Sequence, residues 1–193
     1  GSVVPFFIYL NFMNYPDPLS IQPFEGPVRG RIRLPGSKSL TNRALVLAAL
    51  ADAPVTLTGA LFSRDTRILC DALQTLGFVV KANPQAATIY VEGQAGRIPK
   101  ASARLHVGNA GTAARFLTAL LALHPEGDYQ LDGDPEMRER PMSGLLEALR
   151  LQGCVVDCAE RAGHFPFRLK TNGLKGGRVE LDARASSQML SAL

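Results

Sequence analysis

The sequence predicts an α/β protein made of a repeated strand–helix–strand–helix–strand–strand unit around buried helices. Three observations carry that prediction. First, an apolar helical segment recurs: Arg43-Ala-Leu-Val-Leu-Ala-Ala-Leu50 aligns with Arg115-Phe-Leu-Thr-Ala-Leu-Leu-Ala122 and with Gln188-Met-Leu-Ser-Ala-Leu193, at offsets of 72 and 73 residues. Each copy follows a small polar stretch, GSKSLTN, GNAGTAA or DARASS. Second, RDTRILCDALQTLGFVV from Arg64 matches RERPMSGLLEALRLQGCVV from Arg138. Third, each of these amphipathic patterns stops at a glycine, Gly77 or Gly153, and runs on into two short β-prone segments. Self-similarity at a fixed period marks a repeat architecture, and two full copies with the start of a third fit in this chain.

The elements follow in order. Residues 1–12 hold an apolar run, Val3 to Leu10, that lacks a basic leader and is too short to span a bilayer. They are expected to be an extension outside the fold, with Met13 a more natural start. Residues 13–35 form an N-terminal segment with a strand expected near Val28 to Leu34, and 36–193 form the main domain. The helix beginning around Ser39 is almost wholly apolar and must be buried. The helix from Arg64 is amphipathic and ends at Gly77, a preferred C-terminal residue. Strands are expected at Phe78 to Ala82 and Thr88 to Glu92, then, in the second copy, at Cys154 to Cys158 and Phe165 to Lys170. Pro141 suits the first turn of the second amphipathic helix. Leu193 falls inside the third apolar helix, so the chain is expected to be a portion of a longer protein.

Four helix starts or turns carry polar groups that an apolar helix does not need. Lys38, Ser39, Asn42 and Arg43 crowd the first, and small residues there expose backbone N–H groups to which a helix dipole draws anions. Ser39 alone is explained as a cap; Arg43 within an apolar run is not. The P-loop pattern needs Gly and Lys adjacent, and Ser37 separates Gly36 from Lys38. Gly108-Asn109-Ala110-Gly111-Thr112 opens the second copy, with Thr112 able to cap and Arg115 just inside. Within Arg138-Glu139-Arg140, Arg140 offers a bidentate partner for carboxylate or phosphate, and the other two read as a solvated cluster. Ser186-Ser187-Gln188 opens the third copy with hydroxyls suited to a phosphate. Equivalent helix starts, polar and mostly basic, point to one shared anionic pocket.

Composition narrows the classes. An apolar content of 46%, 20% charged residues and a net charge of +4 describe an ordinary globular protein. Trp is absent and aromatics are few, so no base-stacking platform for nucleic acid is present. Cys70, Cys154 and Cys158 lack CxxC spacing and His106, His124 and His164 lack ligand spacing, which argues for reduced thiols and against a metal site.

PGSKSLTNRA, GNAGTAAR, RERPM and SSQ, in this order and spacing, resemble the 5-enolpyruvylshikimate-3-phosphate synthase family over Gln22 to Leu193. The resemblance implies two domains, each of three such units around buried parallel helices, an inside-out α/β barrel of which this chain carries an incomplete first domain. It implies transfer of the enolpyruvyl group of phosphoenolpyruvate to the 5-hydroxyl of shikimate 3-phosphate, with release of phosphate and no metal or organic cofactor. It also implies a monomeric cytoplasmic enzyme that binds neither nucleic acid nor membrane, and glyphosate as an occupant of the phosphoenolpyruvate site. By the same resemblance Lys38 touches both substrates and is catalytic, while Ser39, Arg43, Ser186 and Ser187 hold shikimate 3-phosphate. Asn109, Gly111 and Arg140 serve phosphoenolpyruvate, and Gln188 lies between the two. Phe116 departs from the proline that many relatives carry after the arginine. The segment 13–35 would pair with the family's other domain, and the acid/base groups would lie beyond Leu193, so the chain alone is expected to bind without turnover. UDP-N-acetylglucosamine enolpyruvyl transferase shares the fold but shows Lys-Asn where this chain has Lys38-Ser39.

Overall fold

The computed structural model describes residues 16, 18–27, 29–32, 34–181, 184 and 187–193. The chain divides after Leu34 into two units. In the first, no helix or strand is present among the described residues, and Leu19, Ile21, Phe24, Ile32 and Leu34 are exposed. The strand expected near Val28 to Leu34 is therefore not formed by its described residues; Val28 and Arg33 lie outside them. A lone strand leaves its backbone groups unpaired, and none of the described strands adds to this one.

The second unit, from Pro35, contains the two repeats. The first runs α1 (Lys38–Leu50), β1 (Pro54–Thr58), α2 (Arg64–Thr75), β2 (Val80–Asn83) and β3 (Thr88–Glu92). The second runs β4 (Ser102–His106), α3 (Gly111–Leu121), β5 (Gly127–Asp132), α4 (Pro135–Arg138), α5 (Ser143–Leu151), β6 (Val155–Cys158) and β7 (Phe167–Thr171), and α6 (Ser187–Ala192) opens the third. The first sheet has the order β1-β3-β2, all antiparallel, with Val91 opposite both Val55 and Val80. The second has the order β4-β5-β7-β6, with β4 parallel to β5. The parallel pair arises because β4 and β5 flank α3, and a parallel return needs a crossover of that length. Alternation along β7 buries Phe167, Leu169 and Thr171 and leaves Arg168 and Lys170 outside, where Arg168 pairs with Asp128 of β5.

All eleven residues of α3 are buried, as its apolar sequence requires. Helix α1 differs from that expectation. It buries Leu45, Val46, Ala48 and Ala49, yet Leu40 and Leu47 are each 68% exposed, because none of the described elements covers that face. The cysteines behave as small hydrophobes: all three are free, and burial pushes the Cys70 thiol up to about 11. No helix among the described residues is long and apolar enough to cross a membrane.

The two amphipathic helices end alike. Gly77 and Gly153 take φ of +94° and +101°, and the next amide donates back to the helix, Phe78 to the Leu73 carbonyl and Cys154 to the Leu149 carbonyl, both at 3.0 Å. A side chain resists that left-handed backbone by about 1–2 kcal/mol. Gly153→Ala is accordingly expected to lower unfolding free energy by about that much, read from the midpoint of a urea titration. An unchanged midpoint would mean that this turn does not depend on glycine.

Candidate functional site

The start of α1 is shaped by a close approach. A Cβ on Gly36 would stand 2.2 Å from the Gly59 carbonyl oxygen and 2.9 Å from the Leu61 amide nitrogen, so only glycine fits. That contact sets the turn, and Ser37, not Ser39, becomes the N-cap, accepting from the Leu40 amide at 3.3 Å. Thr41 reinforces it, donating to the Ser37 carbonyl at 2.8 Å and accepting from the Leu61 amide at 3.1 Å. Ser39 is thereby released from capping and its side chain is exposed. Lys38, the first helical residue, places its ammonium 2.8 Å from Asp65 at the start of α2. Its side chain is 48% exposed, so donors remain for a ligand. Asn42 is fully buried, and neither atom of its amide has a hydrogen-bond partner among the described residues.

The GNAGT loop divides its glycines between two jobs. Gly108 adopts φ of +51° and makes the turn. Gly111 has an ordinary φ and begins α3; a Cβ there would lie 2.8 Å from Arg115 Nη1, 3.0 Å from Arg140 Nη1 and 3.9 Å from Gln188 Oε1. Its absent side chain is thus the point on which two guanidiniums and an amide converge. Thr112 does not cap as expected. The N-cap of α3 is Ala110, with no side-chain hydrogen bond, and Thr112 is buried within the helix. The first-turn amides of α3 therefore keep their affinity for an anion. Asn109 Oδ1 is buried without a partner among the described residues. Arg115 is buried, and desolvation first, then the nearby Arg140, hold its guanidinium below its usual range.

The RERP segment departs from its expected place. Pro141 is not in a first helical turn; α4 closes at Arg138 and α5 begins at Ser143, which leaves Arg140 and Pro141 in the connection. Proline disfavours helical backbone in the residue before it, and the Met142 amide bonds to the Gly163 carbonyl at 2.8 Å instead of continuing a helix. The three charges then separate by role. Arg138 is bound to Asp132 at 2.7 Å and Glu160 at 2.9 Å, and Glu139 pairs with Arg161 at 3.5 Å. Asp134, at the head of α4, ties this segment to Arg64 of α2 at 2.7 Å and His106 of β4 at 3.0 Å. The Arg140 side chain has no hydrogen bond or ion pair among the described residues, and it stands beside another cation. Such a pair calls for an anion.

Three helix starts are tied pairwise. The Arg43 guanidinium lies 5.1 Å from the centroid of the Phe116 ring, joining α1 to α3, and donates at 3.5 Å to Ser191 Oγ, joining α1 to α6. Arg115 Nη1 donates to Gln188 Oε1 at 3.1 Å, joining α3 to α6. Of the residues expected in the site, Gly111, Arg140 and Gln188 come together, and Arg43 meets the helix that Ser187 opens; Ser186 lies outside the described residues. Lys38 points to Asp65, one helix away from the Gly111 cluster. Sequence reasoning missed Asp65, which left no signal; it singled out Arg115, a charge inside an apolar run, and Phe116, a departure from the family's proline, but gave neither a place in the site. A cavity of about 600 Å³ on the outer face of the second sheet, between Arg104, His106, Asp157 and Arg168, holds none of the expected residues.

Residues 24–193 match the family profile described as EPSP synthase (3-phosphoshikimate 1-carboxyvinyltransferase). The chain is 58% identical over 182 residues to the 3-phosphoshikimate 1-carboxyvinyltransferase of Opitutus terrae, covering 94% of this chain and 42% of that protein. It is 45% identical to that of Trichormus variabilis, covering 92% and 41%. A solved EPSP synthase from Acinetobacter baumannii superposes with a TM-score of 0.75 at 29% identity, over 84% of this chain and 37% of the other. The chain therefore spans about two fifths of the length of the curated relatives it matches.

Proposed function

Because this chain belongs to the EPSP synthase family, we propose that it supplies the anion-binding helix starts of a 3-phosphoshikimate 1-carboxyvinyltransferase, which moves the enolpyruvyl group of phosphoenolpyruvate to shikimate 3-phosphate and releases phosphate. The observation that carries this reading is the convergence of Arg140, unpaired among the described residues, with Arg115 and Gln188 on Gly111, beside a helix start that no side chain caps. Phosphoenolpyruvate bears a carboxylate and a phosphate, and this corner offers cationic forks and free amides to both. Positive charge fixed in advance also favours the departing phosphate. Arg43, Ser39 and Ser187 line the approach from α1 and α6 and, together with Ser186, take shikimate 3-phosphate; Lys38 stands between the substrates, as does Gln188. Asn109, with its Oδ1 unpartnered among the described residues, shapes the phosphoenolpyruvate loop. The reading takes the whole enzyme as monomeric and cytoplasmic, working without metal or organic cofactor.

The test is a hybrid in which this chain is fused to the portion of the Opitutus terrae relative that it does not match. The hybrid is expected to restore growth of an aromatic-auxotrophic bacterium lacking the enzyme, and to release phosphate only when both substrates are present. Soluble expression without growth or phosphate release overturns the proposal. The 193-residue chain assayed alone is expected to give no turnover, since proton transfer needs positioned acid/base groups and the carboxylate nearest Lys38, Asp65, is already engaged by it. A rate near that of the hybrid would place those groups within this chain.

A further inference from the structure

Arg115 occupies a position that stability by itself does not account for. It is 7% exposed within a helix whose other members are apolar or small, and all the acceptors it meets among the described residues are neutral. Nη1 donates to the Gly111 carbonyl at 3.0 Å and to Gln188 Oε1 at 3.1 Å, and Nη2 donates to the Pro141 carbonyl at 3.3 Å. Nε is buried with no partner among the described residues. Burying a cation without a carboxylate is costly, and an apolar residue in its place would relieve that cost. What the guanidinium uniquely provides is a rigid planar fork that fixes several acceptors relative to one another. Its three acceptors lie on the Gly111 loop, on the residue after Arg140, and on the first turn of α6.

We propose that Arg115 is the positioning residue of the phosphoenolpyruvate corner, holding the Gly111 loop, the Arg140–Pro141 turn and Gln188 in a single arrangement without itself being the primary ligand contact. The inference rests on the functional reading above and adds a residue and a role to it. Two consequences separate it from a merely structural part. Losing the fork disturbs phosphoenolpyruvate, whose contacts on the Gly111 loop, the Arg140–Pro141 turn and Gln188 it aligns, more than shikimate 3-phosphate, which meets the fork's partners only at α6 and keeps its contacts on α1. A lysine, which keeps the charge and some of the hydrogen bonds, restores part of the loss.

In the hybrid enzyme, Arg115→Met is expected to raise KM for phosphoenolpyruvate about tenfold or more, the loss of one hydrogen bond to a charged group, while KM for shikimate 3-phosphate, which shares only Gln188 and the start of α6 with the fork, rises clearly less. Arg115→Lys should recover a clear part of that loss. An unchanged KM for phosphoenolpyruvate, or equal increases for both substrates with a lowered Tm, overturns the proposal. If the unsubstituted hybrid shows no turnover, the functional reading fails, and the positioning role is decided on the 193-residue chain by hydrogen exchange. There Arg115→Met should speed exchange at the Gly111, Ala114 and Met142 amides, which donate to the Asn109, Ala110 and Gly163 carbonyls, about tenfold and leave Leu69 and Leu73 of α2 protected. No acceleration at those amides, or a uniform acceleration through α2, overturns it.

Discussion

Lys38→Met in the hybrid enzyme is expected to lower kcat/KM for both substrates by about a thousandfold, the scale of removing one partner from a desolvated charge pair. Methionine keeps the unbranched stem and the helix propensity of the first residue of α1, so the change is confined to the ammonium. The substitution also leaves Asp65, 2.8 Å from the ammonium, facing the substrates' negative charge with its cation gone. Adding Asp65→Asn to Lys38→Met should therefore recover part of the activity by removing that repulsion. Lys38→Arg should not, because a planar guanidinium replaces a compact point charge. The Lys38–Asp65 pair is half-exposed and pairs of that kind contribute little to folding, so Tm should hardly move. A fall of less than about tenfold would make Lys38 a solvated partner of Asp65 and nothing more.

Gly111→Ala should raise KM for phosphoenolpyruvate by about ten- to a hundredfold, the range of forcing a methyl group into filled space. The new Cβ would meet Arg115 Nη1 at 2.8 Å and Arg140 Nη1 at 3.0 Å. Arg115 is buried and held by three acceptors, so its tip gives only slightly; Arg140, exposed and unpaired among the described residues, moves further. The substitution thus moves the guanidinium assigned to the anion. Glyphosate, the bulkier occupant of this site in the family, should lose more affinity than phosphoenolpyruvate. Gly111 needs no positive φ, and alanine favours the helix it begins, so Tm should hold or rise slightly. KM, the glyphosate inhibition constant and Tm are measured together. Equal losses for both ligands with a lower Tm would leave Gly111 a residue of backbone geometry.

Much of the architecture was legible because periodicity reports burial directly. The strand expected at Thr88 to Glu92 forms over those residues, and both amphipathic helices stop at the glycines that mark their ends. The alternating burial of β7 and the uninterrupted burial of α3 follow from the same rule. Two local details went otherwise. Ser37 took the cap expected of Ser39 because Gly36 is pressed against the backbone of residues 59–61. Arg140 and Pro141 left the helix because Met142 finds a carbonyl in a loop some twenty residues on. In both, a tertiary contact chose among turns that sequence alone left nearly equal.

The sequence by itself determined the repeat, the apolar helices and the polar residues gathered at their starts, since these depend on side-chain type and spacing along the chain. Only the tertiary structure decided which of those polar residues act together. It paired Lys38 with Asp65, neutralised Arg138 with Asp132 and Glu160, and left Arg140 unpaired among the described residues beside Arg115, which reaches Gln188 on a different helix. Charge and hydrogen bonding act through space over a few ångström, and residues that meet at that range here, Arg43 and Ser191, stand up to 148 positions apart in the chain.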